Sequence, residues 1–180
     1  MQFLDLVKSR RSIRSYQSRP VERARIDAVV AAAQLAPSAG DLQAYAIIRV
    51  EELENRQRLA RAAHDQAFLT EAPVVLVFLA DKVRSEHKYG PRGAGLFAVQ
   101  DATIAAAYAQ LAATAQGLGS CWVGAFDERR VAEAVSAPDE LRPVVLMPVG
   151  YAAEHPAHRP RRDPAEMLWQ EGYQSGRSSR

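Results

Sequence analysis

Residues 95–119 read GLFAVQDATIAAAYAQLAATAQGLG, a stretch that places apolar side chains on nearly every face of an α-helix instead of along one stripe. Alanine recurs so often in it that another helix could approach closely. Such a helix, about 20 residues and roughly 30 Å long, has to be buried on every side. A chain of 180 residues has little material for that purpose. The stretch therefore predicts a central helix whose cover is completed by a subunit interface. Gln100, Asp101, Gln110 and Gln116 interrupt the apolar run 96–118, which a lipid-facing span would tolerate poorly, so no membrane partner is expected. Gln100 and Asp101 need hydrogen-bond partners in that environment, and the interface is where they are expected to find them.

The rest of the composition fits that picture. With 48% hydrophobic and 24% charged residues, the chain reads as one soluble globular domain over residues 1–173, followed by a polar, disordered tail at 174–180. A net charge of +2 gives no field strong enough to make nucleic acid or an anionic membrane the default partner. A basic site, if present, is local. The one cysteine, Cys121, lies in an apolar run and cannot form an intrachain disulfide. Residues 1–5, MQFLD, lack the basic segment and long apolar stretch of a signal peptide, so a cytoplasmic location is expected.

Helix and strand signals alternate along the chain. Phe3, Leu6 and Val7 share a face of a short first helix that runs into Arg10-Arg11-Ser12-Ile13-Arg14. A second helix fits residues 21–35, with Ile26, Val29, Val30 and Ala33 inward and Pro37 and Gly40 ending it. Strand 44–50, a charged surface helix at 51–67 and a doubly buried β-branched strand at 74–79 come next. Residues 81–95, with Gly90, Pro91 and further glycines, read as a loop. After the central helix, strands are expected at 120–124 and 144–149 with a helix near 128–135 between them, then a Pro-punctuated arm at 159–173 carrying Met167, Leu168 and Trp169. The sum is an α+β domain, a sheet sandwiched by helices.

Three motifs bear on chemistry. The arginine cluster 10–14 reads either as a solvated helix end or as a site for a phosphate monoester, the latter because Ser12 adds a hydroxyl among guanidinium forks at the end of an amphipathic helix. The turn Ala36-Pro37-Ser38-Ala39-Gly40-Asp41-Leu42-Gln43 stops a helix, and it also gathers Ser38, Asp41 and Gln43 beside a glycine that permits close ligand approach. Glycines 117, 119 and 124 leave a helix and enter a strand, the reverse of a dinucleotide-binding fingerprint, so they read as a helix cap followed by exposed backbone N–H groups at Gly124 and Ala125. No Gly-x-Ser-x-Gly elbow occurs, and Cys121 reads as a structural thiol. The His155/His158 pair sits in a Pro-flanked loop without carboxylate or cysteine partners, so no metal site is expected.

In their order, RRSIRSY, APSAGDLQ and GLGSCWVGAF resemble the nitroreductase family over residues 3–173, nearly the whole chain. Tyr89-Gly-Pro-Arg-Gly93, Leu141-Arg-Pro-Val144 and Pro148-Val-Gly-Tyr151 are similar to stretches in its compact members. The resemblance implies a homodimer with FMN at the subunit interface and the alanine-rich helix within that interface. Arg10, Arg11 and Ser12 would hold the FMN phosphate, with Arg14 toward the ribityl chain or pyrimidine. Arg162 would be the second basic phosphate ligand, with Arg161 the alternative one position away. Pro37, Ser38 and Ala39 would come from the partner subunit against the isoalloxazine, with Gln43 close by, while Gly124 and Ala125 offer N–H groups to the flavin N5 and O4 region. Gln66 lies where relatives contact the pyrimidine edge. Asp41 stands where the family has Asn, which replaces an amide donor by an acceptor and bears on flavin tuning.

The implied reaction needs no catalytic side chain. Hydride passes from NAD(P)H to flavin N5 and then to a nitroaromatic, quinone or similar small conjugated acceptor by a ping-pong cycle. Two alternatives share the fold or the ligand: a specialised relative such as a reductive dehalogenase or flavin-cleaving enzyme, and a non-catalytic flavin-binding protein. A nucleic-acid module built on residues 10–14 is the fourth reading.

Overall fold

The central apolar stretch does form a helix, and the other elements are arranged around it. The computed structural model describes residues 2–173, so the tail expected at 174–180 lies outside the described residues. In chain order the elements are α1 (Phe3–Ser9), α2 (Arg23–Gln34), β1 (Tyr45–Val50), α3 (Leu53–Ala62), α4 (Phe68–Glu71), β2 (Val74–Asp81), α5 (Lys82–Arg92), α6 (Ala98–Ala115), β3 (Gly119–Ser120), α7 (Glu128–Ala134) and β4 (Leu141–Gly150). Short 3₁₀ turns occur at Ala39–Asp41 and Pro164–Glu166, and a π-turn at Gly93–Phe97 joins α5 to α6. No helix among the described residues is long and apolar enough to cross a membrane.

The four strands form one sheet in the order β1-β2-β4-β3, every neighbour antiparallel. Because side chains alternate across a strand, β2 sends Leu76 and Phe78 to one face with Val145 and Met147 of β4, and Val75, Val77 and Leu79 to the other with Leu146. Helices α2 and α6 cover the first face; α3, α4 and α7 cover the second. Both faces are dry, which is why β2 reads as an unbroken apolar run. The architecture is α+β, a helix-sheet-helix sandwich.

Helix α6 seats its alanines on the sheet and on α2. Ala98, Ala102, Ala105, Ala106, Ala109 and Ala113 are fully buried, and the absence of longer side chains lets the backbones approach closely. The opposite stripe is not covered by the chain itself: Gln100, Ala107, Tyr108 and Ala115 are exposed, alongside Phe3, Leu4 and Val7 of α1. The burial expected on every side is therefore half achieved within one copy.

Three sequence expectations change. Residues 81–95 are not a loop: Asp81 caps α5 by accepting the Arg84 N–H at 2.9 Å, and the helix runs to Gly90. Gly90 takes φ 58° and ψ −151°, a conformation open to glycine, and Pro91 then starts the next helical turn, where its missing N–H costs nothing. The glycine and proline thus mark a junction between helices. The helix expected over 51–67 ends at Ala62, because His64 and Asp65 turn the chain with positive φ before α4. Asp101 is satisfied within its own chain instead of across an interface: its buried carboxylate accepts the Ala39 N–H at 2.9 Å and the Ala44 N–H at 3.3 Å. Gln100, its neighbour, faces outward.

Asp101 thereby clamps both ends of the 38–44 loop to α6. Asp101→Asn keeps the size but turns one acceptor into a donor facing a buried N–H. We expect it to lower the unfolding free energy by about 2–3 kcal/mol in urea titrations monitored by circular dichroism; an unchanged midpoint and slope would show the clamp to be energetically idle.

Candidate functional site

The arginine cluster is positioned by β pairing at both ends of the chain. Just after α1, Ser12 bridges Ser120 in parallel, and the Ile13 N–H donates to the Ser120 carbonyl at 2.9 Å. The segment then runs antiparallel to the residues after β4: Gln17 N–H donates to Tyr151 O at 2.9 Å and Ala153 N–H to Ser15 O at 2.9 Å. The buried Tyr16 hydroxyl, donating to Ile13 O at 2.7 Å, pins the turn. Gly119 has no room for a side chain, since a Cβ would lie 2.9 Å from Ile13 Cγ1.

This pairing carries residues 10–14 against the chain after residue 153, where a cavity of about 300 Å³ opens. Arg10, Arg11, Ser12, Arg14, His158, Arg159 and Arg161 line it, and among the described residues no carboxylate does. Burial, then the nearby charges of Arg161 and Arg11, lower the Arg10 pKa from its ordinary value, the signature of cations gathered without a counter-ion. The nearest acid in the arm, Glu154, accepts the Arg14 backbone N–H. Arg11 donates to the Lys8 carbonyl at 2.6 Å, capping the end of α1. Arg162 does not line the cavity: it pairs with Glu166 at 3.3 Å and donates to the Glu166 carbonyl at 2.9 Å. Of the two neighbouring arginines, Arg161 faces the cluster. His158 and Arg159 were missed in the sequence, where only the density of basic residues around Pro160 could have signalled them.

Directly behind Ser12 lies Cys121, buried, its thiol pushed up by desolvation. It is held protonated in an apolar layer, which suits structure more than nucleophilic chemistry.

A second group forms where α3, α4 and the chain after β3 meet. Gln66 donates its amide to Ala63 O at 2.9 Å and to Ala125 O at 3.3 Å, tying the turn before α4 to the bend at 124–126. Val123 exchanges backbone bonds with Leu146 at 3.0 Å, and Asp127 N–H bonds Ala62 O at 2.9 Å. Between those fixed points Gly124 and Ala125 are exposed, and among the described residues neither N–H has a partner. Both are open to solvent or to an acceptor from outside the chain.

The third group is the 38–43 loop. Ser38 accepts the Gln43 N–H on its hydroxyl at 2.9 Å, and Gln43 donates its side-chain amide to Asp41 at 3.3 Å. Gly40, Asp41 and Gln43 all have positive φ, near 57°, 58° and 49°. Aspartate, like asparagine, tolerates that region, so the backbone accepts the acid in place of the amide. Pro37 is exposed and Ser38 and Ala39 half-buried at the loop surface. Helix α5 overlies the loop: Arg84 donates to Leu42 O, Lys88 to Gly40 O at 3.4 Å, and a Cβ on Gly40 would collide with the Tyr89 hydroxyl and the Lys88 ammonium. Reading residues 81–95 as a loop concealed these three contacts.

The first and third groups sit at opposite ends of α6. From Asp101, which holds the loop, to the helix end at Ala115 is about 21 Å at 1.5 Å per residue, and Ser120, which holds the arginine cluster, lies beyond that end. The surface between them is the exposed stripe of α6.

Comparison with known proteins agrees with this fold. A profile of the Nitroreductase family matches residues 7–68 and 61–151. The chain is 30% identical to FMN reductase [NAD(P)H] of Bacillus subtilis, over 91% of this chain and 71% of that protein. Among solved structures it is similar to nitroreductase A of Vibrio parahaemolyticus, with TM-score 0.88 at 27% identity over 96% of this chain and 76% of the other. It is also similar to an FMN-dependent nitroreductase of Clostridium difficile, with TM-score 0.81 at 27% identity over 95% and 100% of the two chains. Motif order, sheet topology and matches along the length of the fold agree, and the chain belongs to the nitroreductase family.

Proposed function

We propose that the chain acts in the cytoplasm as a homodimeric, NAD(P)H-dependent FMN oxidoreductase that reduces nitroaromatics, quinones or similar small conjugated acceptors. The observation that carries this reading is the arginine-lined cavity with no carboxylate in its wall, assembled from residues near both ends of the chain. A phosphate monoester, a compact dianion with several acceptor oxygens, matches that donor set: Arg10, Arg11, Ser12 and Arg161 would hold it, and its charge would relieve the repulsion that lowers the Arg10 pKa. The names of similar proteins, an NAD(P)H-linked FMN reductase and an FMN-dependent nitroreductase, support FMN as the molecule that carries this phosphate and NAD(P)H as the electron donor.

When bound, FMN would supply the chemistry of hydride transfer through its N5 between NAD(P)H and the acceptor, the two reacting in turn by a ping-pong cycle. The chain's part is to bind, orient and shield. The free N–H groups of Gly124 and Ala125, with the Gln66 amide beside them, offer hydrogen bonds to the polar edge of the ring and stabilise negative charge that builds there. Arg14, in the wall of the same cavity, would add a further cation toward the ribityl chain or the pyrimidine.

The separation along α6 supports a dimer. Pro37, Ser38, Ala39 and Gln43 are held toward the Asp101 end of the helix and the arginines toward the other, so that two copies would supply the two groups to one flavin. Two copies packed through the open stripe of α6, running in opposite directions, bring the loop of each to the cluster of the other. The exposed apolar side chains of α1 and Tyr108 extend that stripe.

Three outcomes are expected. Arg10→Ala raises the Kd for FMN about 10- to 100-fold in fluorescence-quenching titrations, whereas Arg162→Ala, which removes only the Glu166 pair, changes it less than about twofold. Anaerobic stopped-flow mixing of the FMN-loaded protein with NADH or NADPH bleaches the flavin absorbance, and added menadione restores it; bleaching by neither nucleotide would refute the reading. Ala107→Glu, in the middle of the open stripe, gives a monomer in sedimentation velocity that retains little flavin; a flavin-loaded monomer would overturn the shared site.

A further inference from the structure

Helix α5 is the most basic element beside the candidate site. Over Lys82–Arg92 it carries Lys82, Arg84, Lys88 and Arg92 against one acid, Glu86, with His87 between them. Most of these cations are already engaged or distant. Arg84 is tied to the Leu42 carbonyl, and Arg92 lies over the Phe97 ring at 5.4 Å. Lys82 sits at the far end of the helix, on the groove beside Arg142.

Lys88 is different. It is exposed, its ammonium lies 5.4 Å from the centre of the Tyr89 ring and has one long hydrogen bond to Gly40 O at 3.4 Å, and among the described residues no carboxylate pairs with it; unlike Arg92, it stands against the 38–41 loop. Asp41, the acid nearest along the loop, is bonded to the Gln43 amide instead. The loop leaves space for this cation, because Gly40 lacks the Cβ that would strike the Lys88 ammonium and the Tyr89 hydroxyl. Gly40 has positive φ as well, so a side chain there would be strained whatever the space. The break at Gly90 sets the end of α5 in this place: α5 packs back on the π-turn, with Gly93 against the Ser85 carbonyl and Tyr89 edge-on to Phe97 at 5.1 Å. The ammonium is therefore held at the rim of the 38–41 loop by a packed helical hairpin, not on a free surface chain.

We propose that Lys88 is a specificity-determining residue: it meets an oxyanion substituent on the molecule that enters beside the 38–41 loop, and so selects for anionic over neutral partners in the reaction. The inference rests on the reading of that loop as one wall of the flavin site. Two molecules could bring such an oxyanion, the nicotinamide donor through its 2′-phosphate or the acceptor through a sulfonate, phosphate or carboxylate. An exposed lysine at the mouth of a site acts through its field on capture as well as through contact, so its effect falls on kcat/KM and weakens with salt.

The test compares ratios within each protein. Wild type, Lys88→Glu and Lys88→Arg, all loaded with FMN, are assayed with NADPH and NADH against menadione, and with NADH against a sulfonated naphthoquinone and menadione. Lys88→Glu is expected to lower the NADPH/NADH ratio of kcat/KM, or the sulfonated/neutral quinone ratio, about tenfold, with Lys88→Arg near wild type and the wild-type ratio shrinking at high salt. A fall in the first ratio assigns the oxyanion to the donor, and a fall in the second assigns it to the acceptor. Both ratios unchanged in Lys88→Glu would overturn the proposal while leaving the flavoenzyme reading intact. Wild-type protein that binds no FMN, or is reduced by neither nucleotide, would sink both.

Discussion

The fold depends on how closely α6 can lie on the sheet. Alanines at 98, 102, 105, 106, 109 and 113 present almost nothing beyond Cβ, so the helix approaches β2, β4 and α2 at a distance that longer side chains would forbid. Two consequences follow from that approach. The carboxylate of Asp101 comes within reach of the backbone of the 38–44 loop, and the helix end delivers Gly119 and Ser120 against Ile13. Each end of α6 thus fixes one of the groups described above, while the outer face, with Gln100, Ala107, Tyr108 and Ala115, is left open.

The site concentrates charge by geometry more than by composition. A net charge of +2 for the whole chain says little, yet five arginines converge on one cavity because a parallel bridge at Ser12 and antiparallel pairing at residues 15–17 fold the first basic run onto the last. Desolvation and mutual repulsion make that gathering unfavourable in isolation, as the lowered Arg10 pKa records. An anion that binds the folded state alone would stabilise it by mass action.

Much of this was legible in the residues, for physical reasons. The β-branched and all-apolar runs located β1, β2, β4 and α6, since both faces of the sheet and one face of the helix are dry, whereas the strand expected at 120–124 is only Gly119–Ser120 with a single bridge at Val123. Motif order pointed to the arginine cluster, the 38–43 turn and the bend at 124–125. What failed were places where a residue's usual meaning is reversed by context. Gly90 and Pro91 punctuate a helical hairpin instead of a loop. Asp101 looked like an interface residue because nothing in a linear sequence reveals that the backbone of residues 39 and 44 passes beside it. Between Arg161 and Arg162, which the sequence left as alternatives, Arg161 lines the cavity while Arg162 pairs with Glu166 of the following 3₁₀ turn.

The pairing of residues 12–17 with strands more than a hundred positions away also orders events during synthesis. The first basic run leaves the ribosome early but has no docking edge until Ser120 and then Tyr151 to Ala153 have emerged, and Arg161 follows later still. On a nascent chain the anion cavity cannot close until residue 161 has emerged, so the first basic run waits through the synthesis of the whole sheet for its partners.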